Sequence, residues 1–104
     1  MPPEIVTVFR SRLHVGVEEE YGPLAARTLE LARAMPGFVD AKTFEAADGE
    51  RVTVVTFADQ ASHDAWRQHP DHREAQRAGR DHLYSWYRIQ VAEVQATREF
   101  GTPR

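Results

Sequence analysis

The chain of 104 residues contains no cysteine and no asparagine. Without cysteine it can form neither disulfides nor cysteine-ligated zinc sites, and thiol catalysis is excluded. It also lacks an apolar run near the roughly 20 residues that a membrane-spanning helix needs. Its first residues lack the basic region and long apolar region of a signal peptide. These absences predict a cytoplasmic protein with no membrane segment.

The overall charge is small, at −3 with neutral histidines. Such a charge gives no general attraction to nucleic acid or to anionic membranes. The length fits one domain. We place this domain over residues 1–104, with a core over about 4–98 and a loose tail from Glu99.

The strands are predicted from β-branched and aromatic runs with alternating character. The first strand, for example, has Ile5, Thr7 and Phe9 on one side and Val6 and Val8 on the other. A hairpin turn at residues 47–50 joins the second strand to the third. The predicted strands are 4–12, 38–46, 51–57 and 82 to about 98.

Two helical regions are predicted from apolar residues spaced three and four apart. The first covers 17–35, and Pro23 either kinks it or begins its main body. The second begins after a cap at Asp59 or Ser62, breaks at His69-Pro70 and continues over 71–80. The order β-α-β-β-α-β predicts a ferredoxin-like α+β fold with a four-stranded antiparallel sheet.

The strands carry apolar residues on both faces, whereas two helices can cover only one. An open apolar face of several hundred Å² is unfavourable in a monomer. We therefore predict a homodimer that packs sheet against sheet.

The stretch 66–87 concentrates aromatic and titratable residues, and it carries much of a resemblance to a known family. The residues that carry it are Pro36-Gly37-Phe38, Phe57, Trp66, His69-Pro70-x-His72, Gln76, Gly79-Arg80, Tyr84, Tyr87 and Val91-x-Glu93-Val94. From about residue 4 to residue 98 the chain resembles the antibiotic biosynthesis monooxygenase (ABM) family, whose members are dimeric α+β barrels.

The resemblance implies an activity and a site. Family members with known activity include enzymes that oxidise anthrone-type aromatics to quinones with O2 and use neither metal nor flavin. The implied site is a pocket between helices and sheet that Trp66 lines. We therefore expect a monooxygenase without cofactors that acts on a small electron-rich aromatic compound.

Such chemistry needs a base, a group that stabilises an oxyanion, and a dry aromatic cavity. The candidate catalytic residues are His69 or His72 as base, Arg80 for the oxyanion and Tyr84 as hydrogen-bond donor. The candidate substrate-binding residues are aromatic: Trp66, Trp86, Phe9, Phe38 and Tyr87. On an ideal strand Tyr84 and Trp86 share one face and Tyr87 takes the other.

Structural roles compete with each of these assignments. Trp66 is also typical of a core residue, and His69 of a helix end. His72 is also compatible with a solvated first turn, and Arg80 with a cation at a helix end. The spacing His69-x-x-His72 does not predict a metal site, because Pro70 interrupts the helix that would align two ligands.

Three further functions are weighed. Acidic residues lie among the arginines of 66–87, so this stretch predicts a salt-bridged surface that does not bind nucleic acid. Haem degradation is disfavoured. The branch of the family that degrades haem uses an asparagine, which this chain lacks, and an iron-ligating histidine, whose position would fall near Ala75. The alternative from another class is a homodimeric accessory protein that binds a small aromatic molecule without turnover.

Overall fold

The computed structural model describes residues 2–103, which form one antiparallel sheet and three α-helices. The strands are β1 (Ile5–Leu13), β2 (Phe38–Glu45), β3 (Arg51–Phe57) and β4 (Tyr84–Glu93). The helices are α1 (Glu18–Ala34), α2 (Gln60–Gln68) and α3 (Pro70–Ala78), and a π-helical turn (Gly79–Leu83) follows α3. The sheet order is β2-β3-β1-β4. The predicted ferredoxin-like α+β fold is therefore confirmed.

The two faces of the sheet differ in their surroundings. Strand β1 pairs with β3 and β4, so that Ile5 lies opposite Phe57 and Glu93. Ile5 and Thr7 are buried on the side where the helices pack, which we call the covered face. The intervening residues, such as Val6 and Val8, are half-buried and lie on the other side, which we call the open face.

Helix α1 begins close to its predicted start and passes through Pro23 without ending. Three acidic residues, Glu18 to Glu20, occupy its first turn, where negative charge is favoured by the helix dipole. The chain leaves the helix at Met35 and turns at Gly37, whose φ of +83° favours glycine. A Cβ at Gly37 would also collide with the side chain of Ser62, so this turn holds α2 close to the sheet.

Helices α2 and α3 are separate because His69 has an extended backbone, as the residue before a proline prefers. Of the two predicted caps for α2, Asp59 is the one used: its carboxylate accepts from the amide of Ser62 at 2.8 Å. His69 caps the following helix, because its Nδ1 accepts from the amide of Asp71 at 3.1 Å.

Strand β4 is shorter at both ends than the predicted range from 82 to about 98. The π-helical turn occupies its predicted start, and the Tyr84 amide closes this turn on the carbonyl of Gly79. At the other end, Glu93 pairs with Ile5 near the beginning of β1, and the Val94 amide donates to Glu4. Beyond this point β1 offers no further backbone partner.

The core lies between the covered face and the helices, and its buried members are Ala32, Ala41, Val55, Phe57 and Trp66. On the open face, Phe44 remains 51% exposed. Within residues 2–103, none of the helices combines the length and apolar character that crossing a membrane requires.

Candidate functional site

A cavity of about 250 Å³ lies between the covered face and the three helices. All four strands contribute to its floor, β2 through Thr43, and the helices and the π-helical turn provide its other walls. Its lining is largely apolar with a few polar groups, which is typical of a site for a small molecule. Its lining includes Thr7, Phe9, Thr28, Trp66, Arg67, His72, Arg80, Tyr84 and Tyr87.

Aromatic rings line one end of the cavity. The ring centroid of Phe9 lies 5.2 Å from that of Tyr84 and 5.9 Å from that of Tyr87. Tyr21, from α1, lies 6.1 Å from Tyr84 in an edge-to-face arrangement. These contacts fix the rings relative to one another, so the cavity presents rigid walls to a flat ligand.

Trp66 contributes the only tryptophan ring among the lining residues of the described chain. It is 4% exposed and stacks on Phe57 with ring centroids 5.1 Å apart. Its Nε1–H has no hydrogen-bond partner within residues 2–103. An unpaired buried donor is costly, which favours a ligand that brings an acceptor to this group.

His72 lies against Trp66, with ring centroids 4.4 Å apart. Burial, followed by the positive charge of Arg67, lowers the pKa of His72 to about 4, although the Arg67 backbone carbonyl acts in the opposite direction. The imidazole is therefore neutral at pH 7. Its Nδ1 has no partner within residues 2–103. The cavity thus contains a neutral histidine that has an unpaired nitrogen.

Tyr84 is a neutral phenol in the cavity wall. Burial raises its pKa above the ordinary value, and the neighbouring Tyr21 acts in the same direction. Its hydroxyl therefore keeps its proton and can donate a hydrogen bond. Gly79 packs on the Tyr84 ring so closely that a Cβ there would collide with it.

Two arginines also belong to the lining, the half-buried Arg67 on α2 and the exposed Arg80 on the π-helical turn. Neither has a carboxylate within salt-bridge distance among residues 2–103. The cavity therefore carries positive charge that is not neutralised locally. Over the same described range, no cluster of three or more histidine, cysteine or acidic side chains could hold a metal ion.

Comparison with family models matches residues 4–78 to the model described as antibiotic biosynthesis monooxygenase. The chain belongs to this family. The match covers most of the chain, including Trp66 and His72, and ends before Arg80, Tyr84 and Tyr87. A search of curated protein sequences finds no match.

Solved structures share the fold of this ABM-family chain at low sequence identity. A variant of SnoaB from Streptomyces nogalater, a cofactor-independent oxygenase, has a TM-score of 0.80 at 22% identity, covering 91% of this chain and 96% of its own. Rv0793 from Mycobacterium tuberculosis gives 0.78 at 17% identity, covering 95% and 99%. Protein SO0527 from Shewanella oneidensis gives 0.80 at 16% identity, covering 90% and 93%.

The cavity of this ABM-family chain contains most of the site residues predicted from sequence. Those in its lining are Phe9, Trp66, His72, Arg80, Tyr84 and Tyr87. His72 is buried, so the alternative of a solvated first turn is wrong for this residue. His69, Phe38 and Trp86 lie outside the lining.

Trp86 lies on the open face, between the guanidinium groups of Arg10 at 5.5 Å and Arg88 at 5.8 Å. The prediction that Tyr84 and Trp86 share a face is wrong. The register of β1 and β4 shifts between Arg12 and Leu13. Arg12 pairs with Trp86 and Leu13 pairs with Tyr84, so Ser85 has no residue opposite it on β1. This irregularity directs Tyr84 and Tyr87 to the same side.

His69 and Phe38 have structural contacts in this chain. His69 caps α3 through its Nδ1 and does not reach the cavity. Phe38 lies at the margin of the core, with its ring centroid 5.9 Å from that of Phe57 in an edge-to-face contact.

His63 is absent from the residues predicted above, yet it is buried beside the cavity. Its Nε2 lies 3.2 Å from Oγ1 of Thr7, and its Nδ1 lies 3.0 Å from Oδ1 of Asp64. The available signal was its spacing of three from Trp66, which places both on one face of a helix. Thr7 likewise shares one predicted side of β1 with Ile5 and Phe9.

Proposed function

We propose that this chain is a cofactor-independent monooxygenase that oxidises a small, electron-rich aromatic such as an anthrone or a quinol with O2. The observation that carries the proposal is the neutral His72 with an unpaired Nδ1 in the wall of an aromatic cavity. Membership of the ABM family and the structural likeness to SnoaB support it.

The proposed reaction begins with removal of a proton from the aromatic substrate, because an anion gives an electron to O2 far more readily than the neutral molecule does. The resulting radical pair combines to a peroxide anion on the substrate carbon, and this anion takes back the proton to become a hydroperoxide. Loss of water then leaves a carbonyl group. In an anthrone the ring CH₂ becomes C=O, one oxygen atom enters the quinone, and the other leaves as water. Atoms and electrons balance without an added reductant.

In this scheme the unpaired Nδ1 of His72 accepts the proton that the substrate carbon loses, and the other cavity residues act on the resulting anion. The Nε1–H of Trp66 and the hydroxyl of Tyr84 donate hydrogen bonds to the substrate oxygen as it becomes negative. Arg67 and Arg80 supply positive charge that favours the same anion. The aromatic walls exclude water, which would otherwise weaken these interactions.

O2 uptake and quinone formation by the metal-stripped protein with dithranol test the proposal. The Trp66→Phe and His72→Phe variants remove, respectively, the indole donor and the imidazole from the cavity. We expect each to lower the rate about a hundredfold, the lower end of what proton transfer and oxyanion donors contribute. His69→Ala is the matched control, since this histidine only caps α3. Wild-type rates in both cavity variants would contradict the proposal.

A second candidate is a protein that binds the same aromatics without turnover. It is favoured by the pKa of His72, about 4, because such a ring is a weak proton acceptor. Fluorescence quenching by dithranol in a Trp86→Phe variant would report binding next to Trp66. Quenching without O2 uptake would support this second function.

We also propose that the chain forms a homodimer through the open face. The face presents Phe44, which is 51% exposed, and half-buried valines such as Val54. We expect Val54→Arg to raise the dissociation constant of the dimer at least about a hundredfold, since it brings an unpaired charge into an apolar interface. Sedimentation beside Glu74→Arg, an exposed position on α3, measures this. A monomeric wild type at micromolar concentration would refute the dimer.

A further inference from the structure

A chain of hydrogen bonds links α2 to β1 beside the cavity. Oδ1 of Asp64 lies 3.0 Å from Nδ1 of His63, and Nε2 of the same ring lies 3.2 Å from Oγ1 of Thr7. Nε2 of Gln60 donates to the same carboxylate oxygen at 2.8 Å. The three groups Asp64, His63 and Thr7 therefore form a continuous polar path between residues distant in sequence.

This path runs from solvent to the cavity. The Asp64 side chain is 47% exposed, whereas the His63 side chain is 7% exposed. Thr7 is 3% exposed and forms part of the cavity wall. Because polar side chains are rarely placed in series across a core without cause, the path suggests a role in the cavity as well as in packing.

The hydrogen-bond chemistry gives the path a direction. The hydrogen bond from His63, followed by that from Gln60, lowers the pKa of Asp64, so its carboxylate is ionised and only accepts. Nδ1 of a neutral His63 must then carry the ring proton, which leaves Nε2 as an acceptor for the Thr7 hydroxyl. With its hydrogen committed to Nε2, the Thr7 oxygen retains lone pairs that can accept from a ligand.

We propose that Thr7, His63 and Asp64 form a proton relay that receives the hydroxyl proton of the bound aromatic compound. This inference rests on the proposed function. The substrate O–H bond breaks and a new Thr7 Oγ1–H bond forms, while the original Thr7 proton moves to Nε2 of His63. The product is a substrate anion and an imidazolium next to the Asp64 carboxylate. The imidazolium later returns its Nε2 proton through Thr7 to the bound compound, which restores the Nδ1–H tautomer of the resting protein.

The surroundings of His63 suit this function. Its ring meets the edges of Phe57 and Trp66, with centroids at 6.5 and 6.1 Å. The titratable groups that face it are Asp64 on its own helix, whose carboxylate meets its Nδ1, and His72 on α3, whose pKa the charge of His63 helps to lower. His72 is neutral, so the nearest stabilising charge for an imidazolium at His63 is the carboxylate of Asp64.

The relay makes a prediction about the resting protein that needs no substrate. Nitrogen-detected NMR of the imidazole groups, assigned with a His63→Gln variant, reports which ring nitrogen carries the proton. We expect the Nδ1–H tautomer in His63. The Nε2–H tautomer would overturn the relay, because Thr7 could not then pass a proton to that nitrogen.

A second measurement tests transfer from a ligand, with 4-nitrophenol as a probe whose ionised form has a distinct absorption. Thr7→Val removes the hydroxyl without changing the shape of the side chain. We expect it to raise the apparent pKa of the bound probe by about one unit, a tenfold change in ionisation. Thr28→Val is the matched control, because Thr28 also lines the cavity but its hydroxyl donates to the Leu24 carbonyl of its own helix.

Equal probe pKa values in Thr7→Val and Thr28→Val would overturn the relay. Neither measurement involves O2, so their results are independent of whether dithranol is oxidised. A relay confirmed by the tautomer and the probe, with no O2 uptake, would reject the proposed monooxygenase while retaining the proton path. O2 uptake that is unaffected by Thr7→Val would retain the monooxygenase and reject the relay.

Discussion

On the covered face of the sheet, inward residues of β1 and β3 meet the helices, whereas no helix in residues 2–103 packs on the open face. The same strands thus build two surfaces of different chemistry. The covered face encloses neutral polar groups without partners, such as Nε1 of Trp66 and Nδ1 of His72. Unpaired groups of this kind point to an external ligand.

On the open face, several charged groups are already paired with one another. Arg10 holds Glu50 through two hydrogen bonds of 2.6 and 3.1 Å, and Arg12 holds Asp48 at 2.7 Å. These pairs lie beside exposed apolar residues such as Phe44. This difference is what the two proposals require, a small molecule in the cavity of the covered face and a second copy of the chain on the open face.

The largest expected effect comes from removing one large side chain from the core on the covered face. Phe57→Ala removes a fully buried ring that stacks on Trp66, and we expect it to lower the free energy of unfolding by about 4 kcal/mol. Phe44→Ala, the matched change on the open face, should cost less than about 1 kcal/mol in the monomer. Urea unfolding at low protein concentration measures both. Similar losses would remove the energetic distinction between the faces.

The second-largest expected effect is a dependence of the free energy of unfolding on pH, which should differ between the two faces. The folded pKa of His72, about 4, lies below its ordinary value of 6.5, so the unfolded chain binds a proton in this range that the folded chain does not. The free energy of unfolding should therefore fall between pH 6.5 and 4, by up to about 3 kcal/mol. On the open face, the hydrogen bond from Arg10 lowers the pKa of Glu50, so the contribution of Glu50 is lost only as the pH falls below its ordinary value of 4.5.

Urea titrations at several pH values, with His72→Phe beside His69→Ala, measure this window. The phenylalanine variant should lose most of the slope between pH 6.5 and 4, and the alanine control should keep it. A wild-type free energy of unfolding that is level across this range would mean that His72 is not shielded from protonation.

How far the sequence predicts the molecule depends on the kind of signal. The element order follows from hydrophobic periodicity, and the break at His69-Pro70 follows from local backbone sterics. Burial of Trp66 follows in the same way from its helical spacing. Such signals depend on residues that are near one another in sequence, so tertiary contacts leave the predicted elements largely unchanged.

The errors at Trp86 and His63 have a different origin, because both depend on contacts between distant segments. The face of Trp86 is set by a register shift against Arg12 and Leu13, which alternation within one strand does not reveal. The role of His63 depends on meeting Thr7 across the interior, 56 positions away. Pairing of this kind is fixed only when the sheet and helices assemble.

The smallest expected effect probes how closely the covered face is fitted around the cavity. Gly79 has helical backbone angles, φ −60° and ψ −49°, where alanine is ordinarily preferred by about 1 kcal/mol. A Cβ here would nevertheless collide with the Tyr84 ring. We therefore expect Gly79→Ala to lower the free energy of unfolding by about 2 kcal/mol, the usual cost of overpacking.

A double-mutant cycle with Tyr84→Ala isolates this contact. Once the ring is removed, Gly79→Ala should change sign and stabilise the protein by about 0.5–1 kcal/mol, because only the helical preference remains. Urea unfolding of the four proteins provides the measurement. If Gly79→Ala destabilised both backgrounds equally, the Tyr84 ring would not be held against the π-helical turn. The cavity wall at this position would then be free to move, and the comparison between a tightly fitted covered face and an adaptable open face would fail at Tyr84.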